Sequence, residues 1–97
     1  MRQAQHTLEA LLGQNEPTVG MSVRVHGENL ILSRAEAGRD EEPEQIDRVR
    51  LTRLSASRWG LAVKRHTGRW ERTPFHGSMR EMVEALCTFM QHLVAPY

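Results

Sequence analysis

Residues 77–94 read GSMREMVEALCTFMQHLV, and large apolar side chains recur in them at the spacing of one helical face. This apolar stripe consists of Met79, Met82, Val83, Leu86, Phe89, Met90, Leu93 and Val94. Ser78 and Glu81 form the capping-box pattern that begins helices, and Pro96 cannot continue one. The pattern therefore predicts one long amphipathic helix from Met79 to Val94.

The segment before this helix alternates as a β-hairpin does. Trp59, Leu61 and Val63 are separated by glycine, alanine and lysine, which is typical of a half-buried strand. Residues 66–69 read HTGR and place a glycine in a tight turn, so residues 69–75 are predicted to form the return strand. Pro74 restricts that second strand to a sheet edge or to a position near its end.

A second hairpin is predicted nearer the N-terminus. Valine or methionine occupies every second position over residues 19–25, and residues 27–29 read GEN, which suits a turn. Residues 30–34 form the return strand, in which Leu30, Ile31 and Leu32 are consecutive and could face apolar neighbours on both sides of the sheet. Before the hairpin, an apolar stripe predicts a helix over residues 3–12 that ends with Gly13 as a left-handed cap.

Residues 46–54 admit two interpretations. Val49 and Leu51 alternate with arginine and threonine, as in a strand, although Leu54 breaks the alternation. Pro43 could instead start a helix. We favour the strand, because valine, isoleucine and threonine cluster here and a β-bulge would explain the break at Leu54.

These elements predict a single α+β domain over residues 1–97. An antiparallel sheet of about five strands, two hairpins and a linking strand, would have the N-terminal and C-terminal helices on one face. Residues 36–45 contain five acidic residues, a glycine and a proline, and are predicted to be a flexible acidic loop. The single cysteine, and an N-terminus unlike a secretion signal, favour a cytoplasmic protein.

Charge is distributed unevenly along the chain. Residues 46–72 carry eight basic residues against two acidic ones, whereas residues 1–45 carry four basic residues against eight acidic ones. Alternation in the predicted strands would place several of these cations on the solvent face of the sheet. The sequence therefore predicts a candidate nucleic-acid surface made of Arg48, Arg50, Lys64, Arg65 and Arg69. Trp59 or Trp70 could stack a base there, although burial of both in the core is favoured.

Patterns for catalysis and metal binding are weak. The five histidines and Cys87 do not show the spacings of metal ligands, and Cys87 lies beside the apolar stripe, where a buried thiol is the usual outcome. We therefore predict no enzyme, no cofactor and no metal site. An enzyme that uses Cys87 or His66 is the weakest of the alternatives.

The apolar stripe of the last helix is wider than one small sheet must cover. Its surplus predicts a protein interface that includes Met79, Met82, Met90 and Leu93. The leading hypothesis is accordingly a non-enzymatic binding or adaptor protein that contacts another protein or a second copy of itself. The alternative is a nucleic-acid-binding protein that uses the basic residues of its sheet.

Overall fold

The computed structural model describes residues 1–37, 43–65 and 67–94. Its helices and strands are, in order, α1 (Arg2–Gly13), a 3-10 turn (Glu16–Thr18), β1 (Ser22–His26), β2 (Asn29–Ala37), β3 (Pro43–Ser55), β4 (Arg58–Lys64), β5 (Trp70–Gly77), α2 (Met79–Phe89) and α3 (Gln91–Val94). Among the described residues the five strands form one antiparallel sheet in chain order. The predicted α+β class, with an antiparallel sheet and helices at both ends, is confirmed.

One face of the sheet, the covered face, packs under the helices. Helix α1 contacts β1, α2 contacts β4 and β5, and α3 contacts β3. The core between them is made of leucine, valine, methionine and tryptophan side chains, among them Leu8, Leu12, Leu30, Leu32, Val49, Leu51, Trp59, Leu61, Met82 and Leu86. The period-two and helical patterns of the sequence thus converge on one apolar layer.

The single long C-terminal helix is not confirmed. The capping box is present, with Ser78 and Glu81 each accepting from the other's backbone N–H, but helix α2 ends at Phe89. Met90 leaves the helical conformation at φ −127°, and the short helix α3 follows. Long-range hydrogen bonds are made just after the break. The backbone carbonyls of Leu93 and Val94 accept them from two buried arginines of the sheet.

Residues 46–54 form a strand, as favoured, and belong to β3. The register shift between Arg53 and Ser55 places a bulge at Leu54, which confirms the explanation for its broken alternation. A second bulge was not predicted. Leu32 pairs with Val49 whereas Ser33 pairs with Asp47, so Arg48 is an extra residue on β3.

The predictions for residues 13–21 are corrected at two points. Helix α1 includes Gly13 as its last residue, and Gln14 follows as the C-cap in a right-handed conformation, so Gly13 is not a left-handed cap. Strand β1 starts at Ser22 and not at residue 19 as predicted. The residues before it form a turn, in which the Thr18 hydroxyl donates to the Leu12 carbonyl at 2.8 Å and Gly20 adopts φ +88°. This compact turn leaves Val19 exposed outside the sheet.

The acidic loop is shorter than predicted. Strand β2 extends to Ala37 and β3 begins at Pro43, and these two residues are paired, so both ends of the predicted loop 36–45 belong to the sheet. The Ser33 hydroxyl donates to the Gln45 side-chain oxygen at 3.2 Å across this extension. The rest of the predicted loop lies outside the described residues.

The second hairpin is confirmed. Its turn is closed by a hydrogen bond from the Arg65 N–H to the Arg69 carbonyl at 2.9 Å, and Gly68 adopts φ +86°. His66 lies outside the described residues. This hairpin supplies strands β4 and β5 to the sheet.

Candidate functional site

The sheet face opposite the helices, the open face, carries long basic side chains. A row of cross-strand neighbours runs across all five strands, in the order Arg24, Ile31, Arg50, Ala62 and Arg72. Cross-strand neighbours point to the same side of a sheet, so three arginines share this row. Ile31 and Ala62 are only 4% exposed although they lie outside the core under the helices, because the long side chains beside them cover them.

A tryptophan and two cations form a cluster on strands β3, β4 and β5 of the open face. The Arg50 guanidinium carbon lies 5.0 Å from the centre of the Trp70 ring, and the Lys64 ammonium lies 5.7 Å from it. Both distances are within the range of a cation–π interaction. Trp70 is half-buried and therefore still presents part of its surface to solvent.

Arg50 also carries an unused donor. Its Nε atom is buried and has no hydrogen-bond partner among the described residues. Burying a donor without an acceptor costs free energy, and because this atom has almost no accessible surface, a ligand acceptor would reach it only after a shift of the Arg50 side chain. The cation–π cluster thus includes a hydrogen-bond donor that the fold itself does not use.

Asp47 is the acidic side chain on the described part of the open face, and it is already paired. Arg24 Nη2 donates to an Asp47 carboxylate oxygen at 2.9 Å, and the Lys64 ammonium lies 3.9 Å from the carboxylate. The hydrogen bond from Arg24, aided by the charges of Arg24 and Lys64, lowers the pKa of Asp47 although partial burial opposes the change. The pair leaves Arg50 and Arg72 as the cations that dominate the remainder of the face.

A cleft of about 270 Å³ lies beside this cluster. Its floor includes Gly60 and Ala62, whose small side chains leave a trough between β3 and β5. Its walls are formed by Arg50, Thr52, Leu54, Arg72, Thr73, Pro74 and His76, with Leu61 and Phe75 beside them. Within the part of the chain that the structure describes, no carboxylate lines the cleft, so the fixed charges there are positive.

A bulge widens the cleft at β5. Gly60 pairs with His76 and Ala62 pairs with Arg72, so three residues of β5 lie opposite Leu61. The Thr73 hydroxyl secures this irregularity by donating to the Leu61 carbonyl at 2.8 Å while it accepts from the Phe75 N–H at 3.2 Å. The parity of the β5 sequence gave no sign of this bulge, although Pro74 indicated an edge strand.

The five basic residues predicted from the sequence do not form one surface. Arg50 and Lys64 lie on the open face as predicted, but Arg48 does not, because the bulge turns it to the covered face, where its Nη1 donates to the Leu93 carbonyl at 3.1 Å. Arg65 pairs with Glu71 on the second hairpin, and Arg69 is exposed in its turn. The sequence interpretation missed Arg24 and Arg72, which alternation could have found once the strand order was known.

The predicted protein interface is largely internal. Met82 and Met90 are buried in the core, and Met79 and Leu93 pack against it half-buried. The exposed member of the apolar stripe is Phe89, at 65% exposure.

Phe89 forms an aromatic pair with Phe75 of β5. The two ring centres are 5.6 Å apart and the ring planes are inclined by 22°, so the rings are stacked. This pair lies on the covered side of the molecule, because Phe75 packs against the core and Phe89 belongs to α2. It is therefore separate from the cation–π cluster.

Histidine, cysteine and acidic side chains are the candidates for metal binding. Within the described ranges, no group of three or more His, Cys, Asp or Glu side chains is arranged to hold a metal ion. Cys87 packs half-buried against the core. None of the helices in the described part of the chain combines the length and the apolar character needed to cross a bilayer.

Comparisons with protein families, with curated proteins and with solved structures each find no match for this chain. The open face and the aromatic pair are the two surfaces of the described chain whose geometry suits a ligand or a partner.

Proposed function

We propose that this protein is a non-enzymatic binding module that contacts nucleic acid through the open face of its sheet. The observation that carries the proposal is the cation–π cluster, in which Arg50 and Lys64 flank a half-buried Trp70 on a face that the helices do not cover. Arg72 extends the positive charge along the neighbouring strand.

Electrostatics supports a phosphate-bearing ligand. Nucleic-acid backbones bind to Lys and Arg side chains with release of counterions, and bases stack on aromatic rings. The open face offers both groups, since cations surround one indole ring. The acid that lies there, Asp47, is engaged by Arg24 and so detracts less from the positive potential.

A salt titration of binding tests the proposal. A fluorescently labelled mixed-sequence oligonucleotide would be titrated with the protein by anisotropy at several NaCl concentrations. We expect affinity to fall as salt rises, with the slope of log K against log salt reduced by about 0.7 for each phosphate contact removed from a single strand. The triple variant Arg50→Gln, Lys64→Gln, Arg72→Gln should therefore lower the slope by about 2.

The matched control removes exposed cations from the helices instead. Arg2 and Arg80 are exposed on α1 and α2, so the variant Arg2→Gln, Arg80→Gln changes the net charge without touching the open face. Circular dichroism would verify that each variant is folded. Absence of binding by the wild type at 20 mM NaCl, or equal slopes for the triple variant and the control, would refute the proposal.

Self-association is the second candidate function, and the aromatic pair favours it. Phe89 stacks on Phe75 and still exposes 65% of its surface. Most of its ring is therefore available for contact with a second molecule. Isologous contact between two such pairs would bury them in a homodimer.

Pairing of sheet edges is a less suitable route to a dimer. The Gln5 side chain of α1 donates to the Val23 carbonyl at 2.8 Å and so occupies an acceptor of edge strand β1. Pro74 removes a donor from the opposite edge strand, β5. Any dimer is therefore expected to use side chains of the aromatic pair.

Size-exclusion chromatography with light scattering tests self-association. We expect the mass to rise with protein concentration in the wild type and to stay at the monomer value of 11.1 kDa for Phe89→Ser. The control is Thr88→Ser, a neighbouring exposed position. A monomer at every concentration would remove this candidate and leave the nucleic-acid proposal intact, since the substituted residue, Phe89, lies on α2 and not on the open face.

A further inference from the structure

We propose that the cleft over Gly60 and Ala62 is a subsite for one unstacked base, so that the ligand of the open face is a single strand. This inference rests on the proposed nucleic-acid function and names the form of nucleic acid that the face recognises. It is carried by the shape, the polarity and the charge of the cleft.

The shape of the cleft suits a flat ring. Its volume of about 270 Å³ equals that of about nine water molecules, at about 30 Å³ each, which is enough to admit one purine base. The trough exists because two successive open-face positions of β4 are glycine and alanine, while β3 and β5 carry large side chains on both sides. A base lying over β4 would contact Gly60 with its face, and it would reach Ala62, which is 4% exposed, by displacing the flexible arginine side chains that cover it.

The polarity of the walls suits a base rather than a phosphate alone. Leu54 is 58% exposed and lies over Gly60, so it offers an apolar edge, and Pro74 offers another. The guanidinium groups of Arg50 and Arg72 can stack on a base or pair with the adjoining phosphate. The cleft therefore combines an apolar floor and apolar edges with two cations. A nucleotide matches this combination, because it joins a flat ring to an anion.

Charge complementarity selects among occupants. Among the described residues, the cleft is lined by Arg50 and Arg72 and by no carboxylate. A neutral peptide would leave these charges unused. An acidic peptide would neutralise them but would not need the glycine and alanine floor.

A duplex does not fit this site. Base pairs in a double helix are stacked and expose their edges in the grooves, whereas the cleft lies between strands of a sheet and can accept only the face of a base. Single strands expose base faces at no cost of unpairing. Trp70, at the end of the cleft near Lys64, would provide a second stacking position for the neighbouring nucleotide.

The test compares one oligonucleotide as a single strand and as a duplex, with variants that fill the cleft. Gly60→Ala is structurally tolerable, because its new Cβ would lie 3.4 Å from Leu54 Cδ1, an ordinary contact, and Gly60 has no positive φ. The variant Gly60→Ala, Ala62→Val is expected to lose about tenfold in affinity for the single strand, which is within the range for removing one base stack. Its salt slope and its affinity for the duplex should be unchanged.

A second variant removes the apolar edge without filling the trough. Leu54→Ser should weaken single-strand binding about threefold to tenfold, whereas Val25→Ser, at another exposed apolar position, on β1, should have no effect. Because both residues are exposed, neither substitution threatens the fold.

The outcomes separate the two proposals. If no oligonucleotide binds, the proposed function fails and the subsite fails with it. If single strand and duplex bind equally and the cleft variants match the wild type, the subsite is overturned while the nucleic-acid function stands. If poly-glutamate binds as tightly as the oligonucleotide and ignores the cleft variants, the face recognises anionic polymers in general and the subsite is again overturned.

Discussion

Arginines on the two faces of the sheet have opposite environments. On the covered face, Arg34 is buried and donates to the backbone carbonyls of Pro17, Val19 and Val94 at 2.7–3.1 Å. Burial, with the nearby charge of Arg48, lowers the pKa of the Arg34 guanidinium. On the open face, Arg50 lies over an indole ring and retains a donor without an acceptor among the described residues.

The difference separates structural cations from cations available to a ligand. Arg34 joins the sheet to the 3-10 turn and to helix α3, so its hydrogen-bonding capacity is used within the fold. Arg50 and Arg72 have no such role on the described surface. A binding function is therefore better assigned to basic side chains that make no structural hydrogen bonds than to a segment that merely contains many basic residues.

The largest effect should come from shortening an apolar side chain on each face. Leu32 is fully buried in the core, whereas its neighbour Ile31 is buried on the open face beneath arginine side chains. We expect Leu32→Ala to lower the free energy of unfolding by about 3 kcal/mol. Ile31→Ala should lower it by only about 1–2 kcal/mol, because flexible arginine stems can move into the space.

Urea unfolding followed by circular dichroism measures both losses. Equal losses would mean that the open face is packed as tightly as the core, which would contradict the view that it is available to a ligand.

Replacing the two arginines by methionine tests the comparison directly. Arg34→Met leaves three carbonyls without their donor and should lower the free energy of unfolding by about 2–3 kcal/mol. Arg50→Met keeps the aliphatic stem and should change it by less than about 0.5 kcal/mol. Oligonucleotide affinity should show the reverse order, with the loss confined to Arg50→Met.

The control for shape is Arg34→Lys, which keeps a charge but cannot reach three carbonyls in the plane of a guanidinium. It should recover only part of the stability lost in Arg34→Met. Full recovery would show that charge, rather than hydrogen-bond geometry, makes Arg34 structural.

A smaller effect is expected at the start of the helix that covers the sheet. Ser78→Ala removes the hydroxyl that accepts from the Glu81 N–H at 3.1 Å and should lower the free energy of unfolding by about 1 kcal/mol. Thr88→Ala, at an exposed position near the end of the same helix, is the control. Thermal unfolding distinguishes them, and a change in oligonucleotide affinity would contradict the independence of the two faces.

Local patterns predicted most of the architecture. The capping box at Ser78, the glycine of the second hairpin turn and the bulge at Leu54 each have a signal within a few residues of chain. Alternation also placed Arg50 and Lys64 correctly on the open face. These features depend on sterics and hydrogen bonding between residues that are close together in the sequence, so a local pattern is enough to predict them.

Two errors have a long-range cause. Residues 48–51 alternate perfectly, so nothing local shows that Arg48 is the extra residue of a bulge, which depends on pairing with β2. The apolar stripe likewise runs through Met90 without a break, whereas the helix ends there. The carbonyls that follow the break serve Arg34, 60 residues away, and Arg48, 45 residues away. No window of local sequence contains both partners.

The smallest effect is the pH dependence of the ion pair on the open face. The folded state lowers the pKa of Asp47, first through the hydrogen bond from Arg24, so the pair stabilises the fold above the unfolded pKa of about 3.9. That stabilisation is lost as the pH falls through the lower folded pKa. Because Arg24 is 53% exposed, solvent screens the pair and we expect about 0.5 kcal/mol.

Asp47→Asn should therefore flatten the decline in stability between about pH 5 and about pH 3, and 0.5 M NaCl should reduce the difference from the wild type. Arg24→Gln should have a smaller effect in the same direction, because it removes the hydrogen bond while Lys64 still lies 3.9 Å from the Asp47 carboxylate. The variants should differ in binding: loss of the Asp47 carboxylate makes the open face more positive and should tighten oligonucleotide binding about twofold, whereas loss of Arg24 should weaken it. Equal binding by the two variants would mean that the open face does not contact phosphate. The distinction between structural arginines on the covered face and ligand-binding cations on the open face would then be wrong.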